Sequence, residues 1–390
     1  MQAPLTIIGT GMAGIGLVRQ VRALDARRPI TLITADSGDD YSKPLLSTGF
    51  AKGLAADRLA ARSALELADQ LNVVVRTHTW VDRIDTASSC LWIGQERLPW
   101  SDLVLATGAS PVAPFAIPAE LSGRVFSIND LDDYRRFSAI LDGLERPARV
   151  AVIGLGLVGC EFANDLQAGG HQVVMVGPEP TLLPRLLPQQ PGQALGNAFR
   201  DAGIEIRSGR LVDSVARQAA GDEQEIVLRL DDGQTLSADL VLVATGLRPR
   251  SQLAEAAGIR TGPDGIQVDR YLSTSCPRIH ALGDVASVDG VNAMYVQPLQ
   301  ASAKALAATL CGSPTPVSYG PWPVLVKTPL LPVVALPPAS ERVQWRIEAD
   351  GDDISALAED EQGQLKGFAL TGKCVRRKVE LARAAPPLLG

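Results

Sequence analysis

The sequence predicts an α/β fold with two Rossmann-like dinucleotide-binding domains, one inserted within the other, and a small α+β C-terminal domain. Two glycine-rich segments indicate this fold, because each lies between an apolar strand-like run and a helical pattern. Two later apolar runs, at 103–108 and 240–246, both end in Thr-Gly and follow their own glycine-rich segment at similar distances. The chain of 390 residues is long enough for two or three domains.

Composition and charge narrow the function classes. The net charge of -6 argues against nucleic acid as a partner. Apolar stretches such as 150–160 are shorter than the ~18 residues of a membrane span, and the N-terminus shows no secretory signal pattern, so we expect a cytoplasmic protein. The five cysteines and three histidines are scattered without Cys-x-x-Cys, which predicts reduced thiols and neither a metal site nor a redox dithiol.

The first glycine-rich segment directly follows the apolar run at 5–8. It reads Gly9-x-Gly11-x-x-Gly14 and is followed by a helical pattern and a second strand-like run at 30–34. In this motif the first glycine permits a tight turn, the second admits a pyrophosphate and the third lets the helix pack close to the strand. Asp36 lies 22 residues beyond Gly14, near the ~20 expected for an acid that binds a ribose.

The second glycine-rich segment repeats the pattern after the run at 150–153. It reads Gly154-x-Gly156-x-x-Gly159, and Glu179 lies 20 residues beyond its last glycine. An acid there favours the free 2′-hydroxyl of NAD over the phosphate of NADP. Arg185 is a nearby cation that would instead favour the phosphate of NADP. Two such units indicate two dinucleotides, and the natural chemistry is hydride transfer between a nicotinamide and a flavin.

A short strand-like run at 280–282 ends in Gly-Asp. Strand ends in open α/β sheets face the ligand crevice, so Asp284 is a candidate to bind a sugar-like hydroxyl. The alternative is that Asp284 caps the N-terminus of a following helix.

Together these segments resemble the two-dinucleotide flavoprotein superfamily over residues 5–310. The motifs are GTGMAG, ATGASP, GLGLVGCEFA, VATGLRPR and IHALGDVA. The runs at 41–50, 159–165, 295–299 and 326–329 closely resemble bacterial rubredoxin–NAD reductases, which extends the likeness over the whole chain. The resemblance implies FAD on the first motif, NADH on the second and rubredoxin as the acceptor of single electrons, with alkane hydroxylation as an associated process.

The resemblance also implies the site residues. Lys43, Glu161 and Lys327 carry the catalytic roles, with the lysines beside the flavin and Glu161 at the flavin–nicotinamide junction, and Asp284 binds the ribityl chain. The implied FAD contacts are Gly9, Thr10, Gly11, Met12, Ala13, Gly14, Thr34, Ala35, Asp36, Lys43, Val81, Glu161, Asp284, Val296 and Lys327. The predicted NAD contacts are Gly154, Gly156, Gly159, Glu179 and Gly246.

One absence separates the chain from related disulfide reductases. In related NADH peroxidases a redox cysteine follows a Leu-Ser pair, and here Thr48 stands at that position. Thiol–disulfide chemistry requires a thiolate nucleophile. We therefore expect NADH to pass a hydride to the flavin, and two single electrons to leave directly from the flavin.

The predicted domains are 1–112 with 250–320 for FAD, 113–249 for NAD and 321–390 as the C-terminal domain. Eight prolines between 314 and 338 predict extended edge segments and turns, and a helix is predicted from 372 to about 384. Its cationic side chains predict either a solvated face or a docking surface for rubredoxin: Lys373, Arg376, Arg377, Lys378 and Arg383.

Three questions stay open from the sequence. The acceptor is alternatively a [2Fe–2S] ferredoxin or a flavo-diiron protein, because the motifs are shared among these reductases. The chain is alternatively a flavoprotein that binds NADH with little turnover. Its oligomeric state is left open between monomer and homodimer.

Overall fold

The computed structural model describes residues 3–218, 225–340 and 342–390. No helix in these residues is both long and apolar enough to cross a membrane. The α-helices of this described part are α1 (Met12–Leu24), α2 (Ala64–Leu71), α3 (Leu131–Asp142), α4 (Leu157–Ala168), α5 (Gln189–Asp201), α6 (Gln252–Ala256), α7 (Val296–Leu310) and α8 (Lys378–Ala384).

The first glycine-rich segment follows the central strand of a five-stranded parallel sheet. All residues of this strand, Leu5–Ile8, are buried, as expected for a parallel sheet that is covered on both faces. Helices α1 and α7 pack together on the sheet. The strand order is Ile279–Ala281, Asp102–Leu105, Leu5–Ile8, Ile30–Ile33 and Val74–Arg76.

The second glycine-rich segment follows the central strand of another five-stranded parallel sheet. In both sheets the strand that ends in Thr-Gly pairs with one side of the central strand, and the strand that precedes the acidic residue pairs with the other. The internal duplication predicted from the two Thr-Gly runs is therefore present. The strand order is Val125–Phe126, Leu240–Val243, Arg149–Ile153, Gln172–Gly177 and Glu205–Ser208.

Two antiparallel segments carry the chain between these sheets. Ala109–Pro111 pairs with Leu247–Pro249, so the chain leaves the first sheet and returns to it side by side. The Thr107 hydroxyl donates to the Arg250 carbonyl at 2.9 Å, and the Thr245 hydroxyl donates to the Val112 carbonyl at 2.5 Å. The Thr-Gly turns thus hold the crossing together. The predicted fold class, with one Rossmann-like unit inserted in another, is confirmed.

The C-terminal segment forms a five-stranded antiparallel sheet, covered on one face by α8 and facing the second parallel sheet with the other. The strand order is Val324–Val326, Val333–Leu336, Leu365–Thr371, Asp353–Glu359 and Gln344–Asp350.

Two expectations for this segment were wrong in detail. Val324–Val326 lies at the edge of the sheet as predicted, but Val333–Leu336 is an interior strand, because the prolines flank it and leave its own N–H groups free to pair. The helix predicted from 372 is α-helical only from Lys378. Residues Gly372–Arg377 form a 3₁₀ turn, in which the Lys373 N–H donates to Asp353 Oδ1 at 2.7 Å.

Smaller sheets complete the molecule. They are Arg83–Asp85, Cys90–Ile93 and Glu96–Pro99; Val212–Arg217, Ile226–Leu230 and Thr235–Ala238; Thr261–Gly262, Gly265–Val268 and Ala286–Val288; and Asp40–Tyr41 with Ala60–Arg62.

A buried carboxylate anchors the second parallel sheet at the end opposite its glycine-rich loop. Asp239 precedes strand Leu240–Val243 and accepts hydrogen bonds from two nitrogens of Arg146, from the Arg149 side chain at 2.9 Å and from the Arg149 N–H at 2.7 Å. Burial alone would raise the pKa of Asp239, but the arginine hydrogen bonds outweigh it and hold that pKa well below its usual range.

We expect Asp239→Asn to lower the free energy of unfolding by about 2–3 kcal/mol at neutral pH, because two arginines lose a buried charged partner. A carboxyl whose folded pKa is depressed stabilises fully above its unfolded pKa of about 3.9, and this stabilisation is lost as the pH falls through the folded value. Urea unfolding of both proteins from pH 7 to pH 3 measures the difference, which should narrow below pH ~4. The exposed Asp231→Asn is the control; equal losses in both variants would contradict the assignment.

Candidate functional site

The two glycine-rich loops have the same close packing. A Cβ on Gly14 would lie 2.0 Å from the Gly9 carbonyl oxygen, and one on Gly159 would lie 2.1 Å from the Gly154 carbonyl oxygen. No side chain fits at either position, so glycine is what lets α1 and α4 approach their strands.

The middle glycine of each loop borders open space. A Cβ on Gly11 or on Gly156 would meet no atom within 4 Å. These glycines are the N-caps of α1 and α4, and neither helix has a side-chain cap or an acidic residue in its first turn among the described residues. Free N–H groups at a helix N-terminus bind phosphate. Both loops therefore fit a dinucleotide pyrophosphate.

Asp36, the acidic residue that follows the first glycine-rich segment, is held in place just beyond strand Ile30–Ile33. Asp36 Oδ1 accepts the Thr34 hydroxyl at 2.7 Å and the Gly38 N–H at 2.9 Å. Ala35 and Asp36 are exposed. The Thr79 N–H donates to the Thr34 carbonyl at 2.8 Å and brings the segment that leads to buried Val81 alongside. The structure thus brings the predicted adenosine-side residues of FAD together.

The acid of the second unit has an unsatisfied oxygen. Glu179 Oε2 is buried and makes no hydrogen bond to any described residue. Glu179 Oε2 lies close to Gly177. A Cβ on Gly177 would be 2.7 Å from this oxygen and also 2.7 Å from the Leu155 side chain. A buried carboxylate oxygen without a donor is costly, and ribose hydroxyls would supply the donors. Glu179 therefore fits NAD at this loop.

Asp284 lies beside the first glycine-rich loop. It belongs to the 3₁₀ turn Gly283–Val285 and does not cap a helix, so the capping alternative is wrong. A Cβ on Gly283 would lie 2.8 Å from Ala13 Cβ and 3.9 Å from the side chain of Leu299, in the first turn of α7. Val296 is the first residue of α7. The Asp284 turn, the loop and the α7 N-terminus therefore meet.

Lys43 has a neutral hydrogen-bond partner that the sequence analysis missed. Its Nζ donates to Asn129 Oδ1 at 2.7 Å, and buried Asn129 Nδ2 donates to the Ala109 carbonyl at 3.1 Å. Burial lowers the pKa of Lys43, and the negative charge of Asp284 acts against that shift. Lys43 and Asp284 thus share one electrostatic environment.

Glu161 and Lys327 form an ion pair that also includes Ser47, with Glu161 buried and Lys327 half-buried. Glu161 Oε2 contacts Lys327 Nζ and accepts the Ser47 hydroxyl at 2.8 Å, while Glu161 Oε1 accepts the Lys327 N–H at 3.1 Å. Lys327 Nζ also donates to Ser47 Oγ at 2.7 Å and to the Pro44 carbonyl at 2.9 Å. We call Ser47, Glu161 and Lys327 the charge cluster. It joins α4, the turn that begins at Lys43 and the C-terminal sheet.

Two further buried groups on α4 were missed by the sequence analysis. Asn164 Oδ1 accepts the Leu330 N–H at 3.2 Å. The Asp165 carboxylate accepts the N–H groups of Phe50 and Ala51 at 3.1 and 2.9 Å. The available signal was a mostly apolar helix that carries four polar residues, Glu161, Asn164, Asp165 and Gln167.

Some predicted residues lie apart from the charge cluster. Gly246 is exposed in the Thr-Gly turn, near the same sheet end as Gly154. Arg185 is exposed, and its charge acts on Tyr295, whose pKa is raised by burial and lowered in part by Arg185. Arg185 therefore reaches toward the start of α7.

The thiols form no disulfide with one another, since all five cysteines are free. Thr48 stands where disulfide reductases carry a cysteine, and its hydroxyl donates to the Leu45 carbonyl at 3.0 Å. Cys160 is the thiol nearest in sequence to the charge cluster, and burial raises its pKa, which disfavours a thiolate.

Comparison with known proteins gives close relatives over the full length. The chain is 44% identical over 387 residues to the rubredoxin-NAD(+) reductase of Alcanivorax borkumensis, covering 99% of both chains. It is 38% identical to the rubredoxin-NAD(+) reductase of Acinetobacter baylyi, over 99% of this chain and 98% of that one. It is 36% identical to the nitric oxide reductase FlRd-NAD(+) reductase of Vibrio vulnificus, over 98% of both.

Solved structures and family models agree with the fold. The complex of putidaredoxin reductase with putidaredoxin matches with a TM-score of 0.87 at 24% identity, over 98% of this chain and 94% of that one. The water-forming NADH oxidase from Lactobacillus brevis matches with a TM-score of 0.82 at 20% identity, over 99% and 92%. Residues 3–305 match the pyridine nucleotide-disulphide oxidoreductase model, and residues 316–385 match the rubredoxin binding C-terminal domain. The chain belongs to the pyridine nucleotide-disulphide oxidoreductase family and has a rubredoxin binding C-terminal domain.

Proposed function

We propose that this protein is an NADH-dependent FAD reductase of rubredoxin, which works without redox cysteines. The observation that carries the proposal is the charge cluster. Through it, the rubredoxin binding domain contributes Lys327 to a half-buried contact with α4, the helix whose N-terminus fits a dinucleotide pyrophosphate. Electron donor and acceptor domains thus meet at one point.

The chain's residues have distinct tasks in this proposal. Bound FAD supplies the conversion of a two-electron donor into two one-electron transfers. Gly11 and Asp36 bind its pyrophosphate and adenosine ribose, and Gly156 and Glu179 bind those of NADH. Asp284 binds the ribityl hydroxyls.

The charged groups beside the ring have a separate task. Lys43 and Lys327 place positive charge beside the ring, where negative charge increases on reduction. Preorganised charges of this kind stabilise such a change without further rearrangement.

The 3₁₀ turn Gly372–Arg377 and the start of α8 at Lys378 carry several cations, and we call this segment the basic turn. It begins at the same end of the C-terminal sheet as Lys327. Val333, on the middle of three neighbouring strands, pairs with Val326 on one side and with Thr371 on the other. Lys327 directly follows Val326, and Gly372 directly follows Thr371. Two strand spacings are about 10 Å, so the turn begins about 10 Å from Lys327. We infer that an acidic acceptor docks on this turn.

Not all cations of the turn are free to contact a partner. Lys373 pairs with Asp353 at 3.1 Å, and Arg377 donates to the Ser355 hydroxyl at 3.0 Å. Arg376 is exposed, and Lys378 is half-buried at the start of α8. Arg376 and Lys378 are therefore the sharper candidates among the cations that the sequence predicts for this segment.

A second acceptor class follows from the Vibrio vulnificus relative, whose name denotes a nitric oxide reductase FlRd as its electron acceptor. The same docking turn would serve such a partner. We also propose a cytoplasmic location, since all five cysteines are free thiols. A role in alkane hydroxylation stays a prediction.

The first prediction tests the acceptor. In anaerobic steady-state assays, the kcat/KM for rubredoxin should exceed that for a [2Fe–2S] ferredoxin by roughly tenfold or more, because specific docking contacts of a few kcal/mol separate partners to this extent. A flavo-diiron protein is assayed in parallel. A ferredoxin that is the better acceptor would contradict the proposal, as would NADH oxidation too slow to reduce any of the three.

The second prediction tests Glu179. The protein should prefer NADH to NADPH, and Glu179→Gln should lower kcat/KM for NADH roughly tenfold, since hydrogen bonds to a charged group contribute about 1.5–3 kcal/mol. The loss should be smaller for NADPH, because repulsion of its 2′-phosphate is removed. Asp201→Asn, at the end of α5, is the matched control. Equal use of both donors by the unmodified protein would indicate that Arg185 or another cation reads the phosphate.

The third prediction tests docking. Arg376→Gln with Lys378→Gln should lower kcat/KM for rubredoxin several-fold at low salt and reduce its decline with ionic strength, because complementary charge accelerates encounter and is screened by salt. Reduction of ferricyanide should be nearly unchanged.

The matched control for docking removes two exposed charges on other sheets, in Arg229→Gln with Arg260→Gln. If both double variants reduce rubredoxin as the unmodified protein does, the basic turn is only a solvated surface and docking depends on apolar contacts.

A further inference from the structure

Ser47 lies between the two charged members of the charge cluster. It is buried, with 6% of its surface exposed. Its hydroxyl donates to Glu161 Oε2 at 2.8 Å and accepts from Lys327 Nζ at 2.7 Å. Both functions of the hydroxyl are therefore used, and each is directed at an ionised group.

The ammonium of Lys327 depends on this hydroxyl to satisfy its third donor. An ammonium has three N–H donors, and those of Lys327 go to Ser47 Oγ, to Glu161 Oε2 and to the Pro44 carbonyl. The backbone N–H of Lys327 is also bound, to Glu161 Oε1. Loss of the Ser47 hydroxyl would leave one ammonium donor of half-buried Lys327 and part of the buried Glu161 carboxylate without this partner.

The neighbouring hydroxyl does not have this role. Thr48 Oγ1 donates to the Leu45 carbonyl within the same turn. Ser47 and Thr48 are adjacent, but only Ser47 faces α4 and the C-terminal sheet. Thr48 is therefore an internal control for the loss of a hydroxyl in this turn.

We propose that Ser47 is a positioning residue, which holds the Lys327 ammonium against the Glu161 carboxylate and so fixes the positive charge of Lys327 beside the bound FAD. This proposal rests on the proposed function, in which Lys327 lies at the flavin. Ser47 acts through Lys327 and does not itself take part in the reaction. Its hydroxyl is suited to the task because it donates to the anion and accepts from the cation at once.

The first test measures Lys327 directly and needs no turnover. Lysine acylation followed by mass spectrometry gives the labelling rate of Lys327 in the FAD-free and FAD-loaded protein. Ser47→Ala should raise this rate about tenfold, as expected for loss of one hydrogen bond to a charged group. Ser47→Thr, which keeps the hydroxyl, should restore slow labelling, and Thr48→Val should leave it unchanged.

The second test measures the bound flavin. In Ser47→Ala the midpoint potential should become more negative, because a mobile ammonium stabilises the added negative charge less well. Thr48→Val should keep the potential of the unmodified protein. FAD content and thermal unfolding of each variant are measured first, so that loss of fold is recognised.

The outcomes separate this proposal from the proposed function. If Ser47→Ala folds, binds FAD and matches Thr48→Val in both labelling and potential, Ser47 is not a positioning residue, whatever the acceptor. If Ser47→Ala does not fold, the test rests on Ser47→Thr. In this variant Lys327 must be acylated slowly and the bound FAD must keep its midpoint potential; faster acylation of Lys327 overturns the proposal. If the unmodified protein fails to reduce rubredoxin but Lys327 labelling depends on Ser47 as stated, the proposed function fails and the positioning role stands.

Discussion

The architecture of the site depends on the buried polar face of α4. Glu161, Asn164 and Asp165 are each more than nine-tenths buried, so each must have a hydrogen-bond partner to avoid a large desolvation cost. Their partners lie in two other parts of the chain, residues 47–51 and 327–330. These contacts hold residues 47–51 and the C-terminal sheet against α4, the helix that follows the central strand of the second parallel sheet.

This constraint brings the charge cluster close to the second glycine-rich loop. The N-cap of α4, Gly156, is five residues before Glu161, which corresponds to about 7.5 Å along the helix. The cradle for one dinucleotide and the charge cluster therefore lie on one rigid element. The C-terminal sheet contributes Lys327 to the same cluster and starts its basic turn two strands away. In the proposed function, the donor, flavin and acceptor regions are thus held in place without a mobile thiol carrier.

The features that could be predicted from the sequence are those that a local residue pattern determines. The glycine loops, their helices and the repeated Thr-Gly strands follow from short periodic segments, and the structure places them as expected. Pairings between distant residues were not predictable, such as Lys43 with Asn129 or Ser47 with Glu161, because no spacing rule links side chains about 100 residues apart. The 3₁₀ turn at Gly372–Arg377 was missed for a related reason, since a contact with Asp353 on another strand competes with helix propensity.

In the proposed function, electrons pass from NADH to the flavin and leave it without a cysteine intermediate. Anaerobic titration of the FAD-loaded protein with NADH, followed by the visible absorbance of the flavin, tests this path. One equivalent of NADH per FAD should complete the reduction, because the flavin is then the only group that accepts two electrons. Consumption of two equivalents per FAD would require a second acceptor such as a disulfide, and would contradict this path.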